Sequence, residues 1–210
     1  MITRATLSTI EQGLPKYRSM LAGNTAFSPG SFESIATSTV GAGGASSVTF
    51  SSIPATYTHL QLREYSLATR ATIAIGQNQY EFNSDTTANN YSQHYFYGDG
   101  SGINVGLDTS SGYIWGAPGT TATDASGTNT LIFGISVMDI LDYTNGSKYK
   151  TTRTLSGVDL NGTIGGAGGR IGFASGNWKS FSTINSIRIV PQTGNFKQYT
   201  HFALYGIKST

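Results

Sequence analysis

The chain has 210 residues with 13 basic and 11 acidic side chains, which give a formal net charge of +2 at pH 7. This charge is too small for the clustered basic face of a nucleic-acid-binding protein, so no nucleic-acid partner is predicted. No run approaches the roughly eighteen apolar residues of a membrane helix, so no membrane partner is predicted. Because there is no cysteine, disulfides, thiolate metal sites and cysteine nucleophiles are excluded. The 27 glycines, 25 serines and 28 threonines predict many short strands joined by polar turns.

The first thirty residues differ from the rest in charge and in periodicity. They contain the excess of basic over acidic side chains, including Arg4 and Arg18, and their apolar residues recur at alternating steps of three and four, which places them on one stripe of a helix. The stripe consists of Leu7, Ile10, Leu14, Tyr17 and Leu21. Helices this short are marginal in water, so either the chain's own domain or a partner must cover the stripe. We interpret residues 1–30 as a short helical docking arm.

From residue 31 onward, alternating apolar and polar side chains replace the helical period. Such alternation is typical of strands with one buried and one solvated face. The predicted strands are 32–40, 48–52, 59–63, 71–75, 79–82, 131–140, 148–154, 170–174, 184–190 and 201–207. About ten short strands separated by turn signals favour an antiparallel β-sandwich of jelly-roll type, which we assign to residues 31–210 as one domain.

The clearest local prediction is a hairpin centred on Asn145 and Gly146. The longest apolar run, 131–140, precedes this pair and continues as a strand to Tyr143, and a segment of alternating side chains follows it at 148–154. Asn-Gly is the preferred sequence of the type I′ turn, whose two central residues both need positive φ. We therefore expect two adjacent antiparallel strands joined by a two-residue turn.

Residues that carry metal or acid–base chemistry are scattered along the chain. His59, His94 and His201 each lack a second ligand at a metal-binding spacing, so each is interpreted as a strand or surface residue. Asp139 and Asp142 are three residues apart in an extended run and point to opposite faces, which disfavours a glycosidase pair. No nucleophile elbow is present. We predict no catalytic residue, no cofactor and no metal site, and hence no enzyme.

One aromatic cluster has polar surroundings. Tyr91, Tyr95 and Tyr97 share one side if their segment is extended, and Trp115 and Trp178 lie in glycine-rich loops. Aromatic faces with amide and hydroxyl neighbours stack on sugar rings or fill protein interfaces. Two alternatives follow: the tyrosine side packs into the sandwich, or the five aromatic residues form a candidate glycan- or partner-binding surface.

Five stretches near the two ends of the chain carry a resemblance to a known family. They are 13–24 (GLPKYRSMLAGN), 31–37 (SFESIAT), 48–54 (VTFSSIP), 57–63 (YTHLQLR) and 202–208 (FALYGIK). Together they resemble small virion structural proteins of tailed bacteriophages, notably cyanophages. The resemblance implies a non-enzymatic β-sandwich mounted on a virion, with the N-terminal arm touching the capsid or tail. It also implies that the middle of the chain, including the tyrosine cluster, faces outward.

The main functional hypothesis is a structural protein of the particle surface. It describes a head decoration or cement protein, or a short tail-associated appendage, that is homo-oligomeric and docks on other virion proteins through the arm. A second hypothesis, of a different class, is a glycan-binding module of the phage tail or fibre that recognises host surface polysaccharide. A third, a small depolymerase, is disfavoured by the lack of a paired carboxylate motif. The first hypothesis places function in the arm, and the second places it in the aromatic loops.

Overall fold

The structure is a computed structural model that describes residues 31–69, 74–124, 132–160 and 168–208. The docking arm predicted over residues 1–30, with its stripe from Leu7 to Leu21, lies outside the described residues. Within the described ranges all regular structure is β, and no helix there is long and apolar enough to cross a bilayer. The all-β class predicted from the alternation is therefore confirmed.

Fourteen strands are described. In chain order they are β1 (Phe32–Thr39), β2 (Val48–Phe50), β3 (His59–Thr69), β4 (Ala74–Gly76), β5 (Asn78–Phe82), β6 (Tyr91–Gly98), β7 (Ile103–Ser111), β8 (Ile114–Trp115), β9 (Thr121–Asp124), β10 (Gly134–Leu141), β11 (Lys150–Asp159), β12 (Gly169–Trp178), β13 (Ile187–Pro191) and β14 (His201–Ile207). The strand predicted at 201–207 has the observed bounds, whereas the one predicted at 59–63 continues to Thr69. Strands β7, β8 and β9 were not predicted.

The strands form two sheets. The large sheet has the spatial order β1-β14-β3-β10-β11-β12-β6-β7, and every pair along this path is antiparallel. Off this path, β9 pairs in parallel with the end of β3 and antiparallel with β4. The small sheet has the order β2-β13-β5-β8 and is antiparallel.

An apolar core lies between the two sheets. Leu60 and Leu62 of β3 contribute to it from the large sheet, and Tyr80 and Ile187 contribute from the small sheet, in one continuous cluster. In β3 these leucines alternate with more exposed polar residues, as the period of two predicted. A smaller cluster surrounds Leu67. Two antiparallel sheets that share an apolar layer are the arrangement of a β-sandwich.

The hairpin of β10 and β11 is confirmed, but its predicted turn is wrong. The strands pair antiparallel from Ile135 to Leu141, yet their connection spans residues 142–149 and not two residues. Positive φ occurs at Asp142 (48°), and neither Asn145 nor Gly146 has it. The longer loop encloses the buried ammonium group of Lys150, which donates hydrogen bonds to the carbonyl oxygens of Asn145, Lys148 and Phe181. Satisfying this buried cation requires a wider loop than a type I′ turn provides.

Candidate interaction surface

The outer surface of the large sheet is apolar over β10, β11, β12, β6 and β7. Nine of the fourteen large apolar side chains that are exposed among the described residues lie on this surface; Leu141 lies beyond Asp139, and the other eight form one group. They are Phe96, Ile103, Val105, Leu107, Ile135, Val137, Leu155 and Ile171, which we call the apolar face. Ile103 and Val105 are each 80% exposed, and Ile171 is 71% exposed. Large apolar side chains in contiguous exposed groups mark interaction sites more often than single ones do.

The cross-strand register aligns these side chains in rows. In one row Val105, Phe96, Phe173, Leu155 and Val137 follow one another across five strands. The rings of Phe96 and Phe173 stack with their centroids 5.7 Å apart. The row is therefore a continuous apolar ridge across more than half of the large sheet.

The neighbouring row alternates isoleucine with glycine. Ile103, Gly98, Ile171, Gly157 and Ile135 occupy consecutive strands in this row. The glycines leave depressions between the larger side chains. One of about 360 Å³ is lined by Gly157, Ile135 and Ile171 and by polar groups that include Arg63; one of about 590 Å³ is lined by Gly98 and Gly157 and also by Asp99 and Arg170. The surface thus has projections and hollows at the spacing of adjacent strands, about 4.8 Å.

A hydrogen-bonded polar network borders the apolar face on β3, β10 and β11. Gln61 donates to Asp139 at 2.8 Å, Arg153 donates to the other oxygen of Asp139 at 2.8 Å, and Arg63 donates to Gln61 at 2.8 Å. Burial opposes ionisation of Asp139, but the hydrogen bonds from Gln61 and Arg153 outweigh it and lower the pKa of the carboxyl group. An apolar area edged by satisfied polar groups has the composition of a protein interface.

Beneath the apolar face, the inner side of the same strands contains a polar region beside the core. Thr152, Thr154 and Ser156 of β11 and Gln93 of β6 are all buried there. Gln93 accepts a hydrogen bond from the backbone amide of Trp115 at 2.6 Å, and Ser156 donates to the carbonyl oxygen of Pro118 at 2.9 Å. The chain segment around Trp115 to Pro118 therefore covers this inner surface through polar contacts.

A buried carboxyl group lies at the centre of the inner polar region. One oxygen of Glu64 accepts hydrogen bonds from Tyr80 at 2.7 Å, Ser136 at 2.9 Å and Asn78 at 3.1 Å. The other oxygen is buried without a hydrogen-bond partner among the described residues. Burial raises the pKa of Glu64 to about 7, against the opposing effect of these hydrogen bonds. We expect Glu64 to be neutral in mildly acidic solution, because an isolated buried carboxylate is costly.

Two of the five predicted aromatic site residues belong to the core. Tyr91 and Trp178 are buried, and their rings stack with centroids 6.2 Å apart. The hydroxyl group of Tyr91 accepts from the backbone amide of Phe82 at 3.0 Å, and the indole of Trp178 donates to Asp85 at 2.8 Å. For these two residues the structure supports the packing alternative. Trp178 ends strand β12 and Trp115 ends strand β8, so the prediction of both as loop residues is wrong.

The other three aromatic residues are partly exposed. Tyr95 and Tyr97 lie on the same side of β6 as Tyr91, with ring centroids 6.5 Å apart and 19° between the planes. The guanidinium group of Arg170 lies 4.5 Å from the ring centroid of Tyr97. Trp115 forms an edge-to-face pair with Tyr113 at 4.9 Å. The tyrosines thus share one side, as predicted, and Tyr95, Tyr97 and Arg170 form a second, smaller surface.

The histidines lie in three different strands. His59 in β3 accepts a hydrogen bond from the backbone amide of Asp142 at 2.9 Å, and His201 in β14 is bonded to Thr39 at 2.7 Å. His94 in β6 is exposed on the outer surface of the large sheet. The prediction that each is a strand or surface residue is confirmed.

The described residues form an all-β protein with two mainly antiparallel sheets and a large exposed apolar surface. No protein-family model matches the chain, and no curated protein or solved structure is significantly similar to it. The exposed surfaces and the resemblance in the sequence are therefore what indicate a function.

Proposed function

We propose that the chain is a non-enzymatic structural protein of a tailed-bacteriophage particle, whose β-sandwich body is held in place by burying the apolar face against another protein chain. The observation that carries the proposal is the continuous outer row from Val105 to Val137, which the domain itself leaves uncovered over the described residues. Burying apolar surface is the dominant favourable term in protein association. A surface that only binds needs no catalytic group.

The location of the resembling stretches supports the assignment to a virion. Residues 31–37, 57–63 and 202–208 correspond largely to β1, β3 and β14, which are adjacent at one end of the large sheet. The apolar face occupies the other end. One end of the sheet would then be the part shared with the resembling virion proteins, and the other end would be a contact surface specific to this particle. The finer description as a jelly roll is part of the proposal, supported by a chain that passes repeatedly between the two sheets.

The docking arm supplies a second contact in this proposal. Residues 1–30 would attach the body to other virion proteins of the capsid or tail through the stripe that includes Leu7, Ile10 and Leu14. Deleting residues 1–30 is expected to leave the sandwich folded, because the described core consists of residues from Val40 onward. The particle role is either head decoration or a short tail-associated appendage.

The test is incorporation into particles by paired lysine variants of the full chain. Ile171→Lys places a charge in the apolar face, whereas Leu141→Lys places one on the same outer surface beyond Asp139. We expect Ile171→Lys to abolish incorporation, measured by immunoblotting of purified particles, and Leu141→Lys to retain it. Unchanged thermal melting of both variants would separate lost binding from unfolding. Normal incorporation of folded Ile171→Lys would contradict the proposal.

A glycan-binding module of the phage tail or fibre is the second candidate, favoured by Tyr95, Tyr97 and Arg170. Two nearly parallel, partly exposed rings with a guanidinium group above one of them provide the stacking surface and polar contact that sugars need. Tyr97→Ala should then reduce adsorption to host cells with little change in melting temperature. Tyr149→Ala, which removes another partly exposed ring, is the control. Unchanged adsorption by Tyr97→Ala would exclude this candidate.

A further inference from the structure

The glycines of the isoleucine–glycine row are not required by the fold of one chain. A Cβ atom added at Gly157 would have the carbonyl oxygen of Arg170 as its nearest neighbour at 3.8 Å, and one added at Gly98 would have that of Gly102 at 3.9 Å. Neither glycine has positive φ. A β-branched residue would suit both strand positions better than glycine does. The hollows therefore cost the single chain some stability, and a contact with another chain would explain why glycine occupies these positions.

The row is complementary to a copy of itself that is shifted by one strand, because the shift places isoleucine opposite glycine. Isoleucine occupies the first, third and fifth positions, and glycine occupies the second and fourth. A two-fold axis that runs along the strands between β11 and β12 would place a second, identical row face to face with the first. Ile171 of one copy would then lie over Gly157 of the other, and Ile135 would lie over Gly98.

We propose that the apolar face binds a second copy of this chain, in a two-fold dimer in which Ile171 and Ile135 of each copy fill the hollows at Gly157 and Gly98 of the other. This inference rests on the proposed function, because it names the partner that buries the apolar face. A two-fold interface must be self-complementary, and the alternating row meets that condition.

The remaining positions are compatible with the same axis. In the neighbouring row Phe173 would face Leu155 of the second copy and Phe96 would face Val137, so apolar groups meet at the centre, and Val105 would face Arg63 at the edge. In the bordering row His94 would face Asp139 of the second copy. No pair of like charges is brought together in these rows. Charges of one sign facing each other would have opposed the association.

The dimensions of the surface agree with a weak but specific dimer. The five strands of the apolar face together with β3, which the axis places opposite β7, lie about 4.8 Å apart; with three rows about 6.7 Å apart they outline roughly 600 Å² on each copy, or about 1,200 Å² in total. Specific interfaces begin at about this size, and small ones are usually transient. We therefore expect dimerisation in solution that depends on concentration and that becomes complete where copies are held together on a particle.

Sedimentation velocity of the full chain over about 1–100 µM, a range that covers weak association, tests the proposal. We expect the wild-type chain to dimerise. Gly157→Val, which fills a hollow, should raise the dimer dissociation constant about tenfold or more without lowering the melting temperature. The matched control is Gly43→Val, since an added Cβ at Gly43 meets nothing within 4 Å and this glycine also lacks positive φ. It should dimerise like the wild type.

The possible results separate this proposal from the one on which it rests. A wild-type chain that stays monomeric throughout, or a dimer that Gly157→Val leaves intact, would overturn the dimer. If Ile171→Lys still blocks incorporation into particles in that case, the apolar face binds a different chain and the proposed function stands. If Ile171→Lys changes neither association nor incorporation, both proposals fail.

Discussion

The two ends of the large sheet distribute polar and apolar side chains in opposite ways. At the end formed by β1, β14 and β3, leucines such as Leu62 and Leu204 point into the core, and Arg63 lies outside, against the rings of Phe32 and Tyr205 at 5.3 and 5.4 Å. At the end formed by β11, β12, β6 and β7, the buried side includes threonines, Ser156 and Gln93, and the exposed side is aliphatic. The first end stabilises the domain through its own core, whereas the second leaves apolar area for a partner.

The difference matters because the same side chain should have a different effect at each end. An inward aliphatic residue at the first end contributes to the stability of the single chain. An outward one at the second end contributes to association and hardly at all to folding. Stability and assembly are therefore separable by mutation, and the sheet offers matched positions at which to test this.

The largest expected effect comes from comparing Leu62→Ala with Leu155→Ala. Leu62 is buried in the core, so its truncation should lower the free energy of unfolding by about 2–5 kcal/mol. Leu155 is 56% exposed on the apolar face, so the same truncation should cost less than about 1 kcal/mol. Urea denaturation at dilute protein concentration measures both. Equal losses would show that the apolar face is part of the folding core, and the comparison of the two ends would fail.

Much of the first end was predictable from the sequence, and the apolar face was not. His201 to Ile207 was predicted as one strand from its run of apolar and polar side chains, and the structure has a strand with the same bounds. Ile103, Val105 and Leu107 lie at alternate positions, but period two does not say which side of a strand meets the core. Only the register with β6 and β12 reveals that their side faces outward.

Local sequence was also misleading where tertiary contacts decide the conformation. Asn145-Gly146 has the strongest short-range turn preference in the chain, yet the buried Lys150 and Tyr143 organise a longer loop around themselves. Tyr91 and Tyr97 lie in similar sequence surroundings, but their burial differs. Tyr91 is fully buried against Phe82 of the small sheet, whereas Tyr97 is partly exposed beside Arg170. In both cases distant residues contribute, because Lys150 also donates to the carbonyl oxygen of Phe181 and the ring of Tyr91 stacks on that of Trp178.

The next effect concerns Glu64, on the inner side between the two ends. Burial raises its pKa from the ordinary 4.5 to about 7, so the folded state keeps a proton that the unfolded state has lost. Its contribution to stability is complete below about pH 4.5 and is lost as the pH rises through about 7. The total is roughly 3 kcal/mol, since one pKa unit corresponds to about 1.4 kcal/mol.

Glu64→Gln should remove this pH-dependent loss of stability while keeping the size of the side chain. We expect the unfolding free energy of the wild type to decrease between about pH 4.5 and 7 relative to that of the variant, measured by urea denaturation at each pH. Glu81→Gln, a glutamate of the small sheet that pairs with Arg188 at 2.9 Å, serves as the control and should keep the fall. Parallel pH curves for wild type and Glu64→Gln would mean that Glu64 is ionised in the fold.

A smaller effect, an increase in stability, is expected from a substitution on the polar inner side of the second end. The hydroxyl group of Thr152 is buried without a hydrogen-bond partner among the described residues. Thr152→Val keeps the shape and removes the unsatisfied group, so it should raise the free energy of unfolding by about 1 kcal/mol. Thr154→Val, at the next inward position of β11, is a useful comparison. A loss of stability in Thr152→Val would indicate that its hydroxyl group has a partner after all.

The smallest effect is expected in the loop between β10 and β11. In a two-residue type I′ turn, Gly146→Val would force a β-branched residue to positive φ at a cost on the order of 1–3 kcal/mol. Gly146 lacks positive φ, and the nearest neighbour of an added Cβ is the carbonyl oxygen of Phe181 at 4.0 Å, so we expect a change below about 0.5 kcal/mol. Gly194→Val is the matched positive control, because Gly194 has φ of 68° and packs closely on the backbone of Thr69. Thermal denaturation should therefore show a clear loss for Gly194→Val alone. A comparable loss of stability for Gly146→Val would support the predicted type I′ turn. The β10–β11 register would then depend on that turn and not on Lys150.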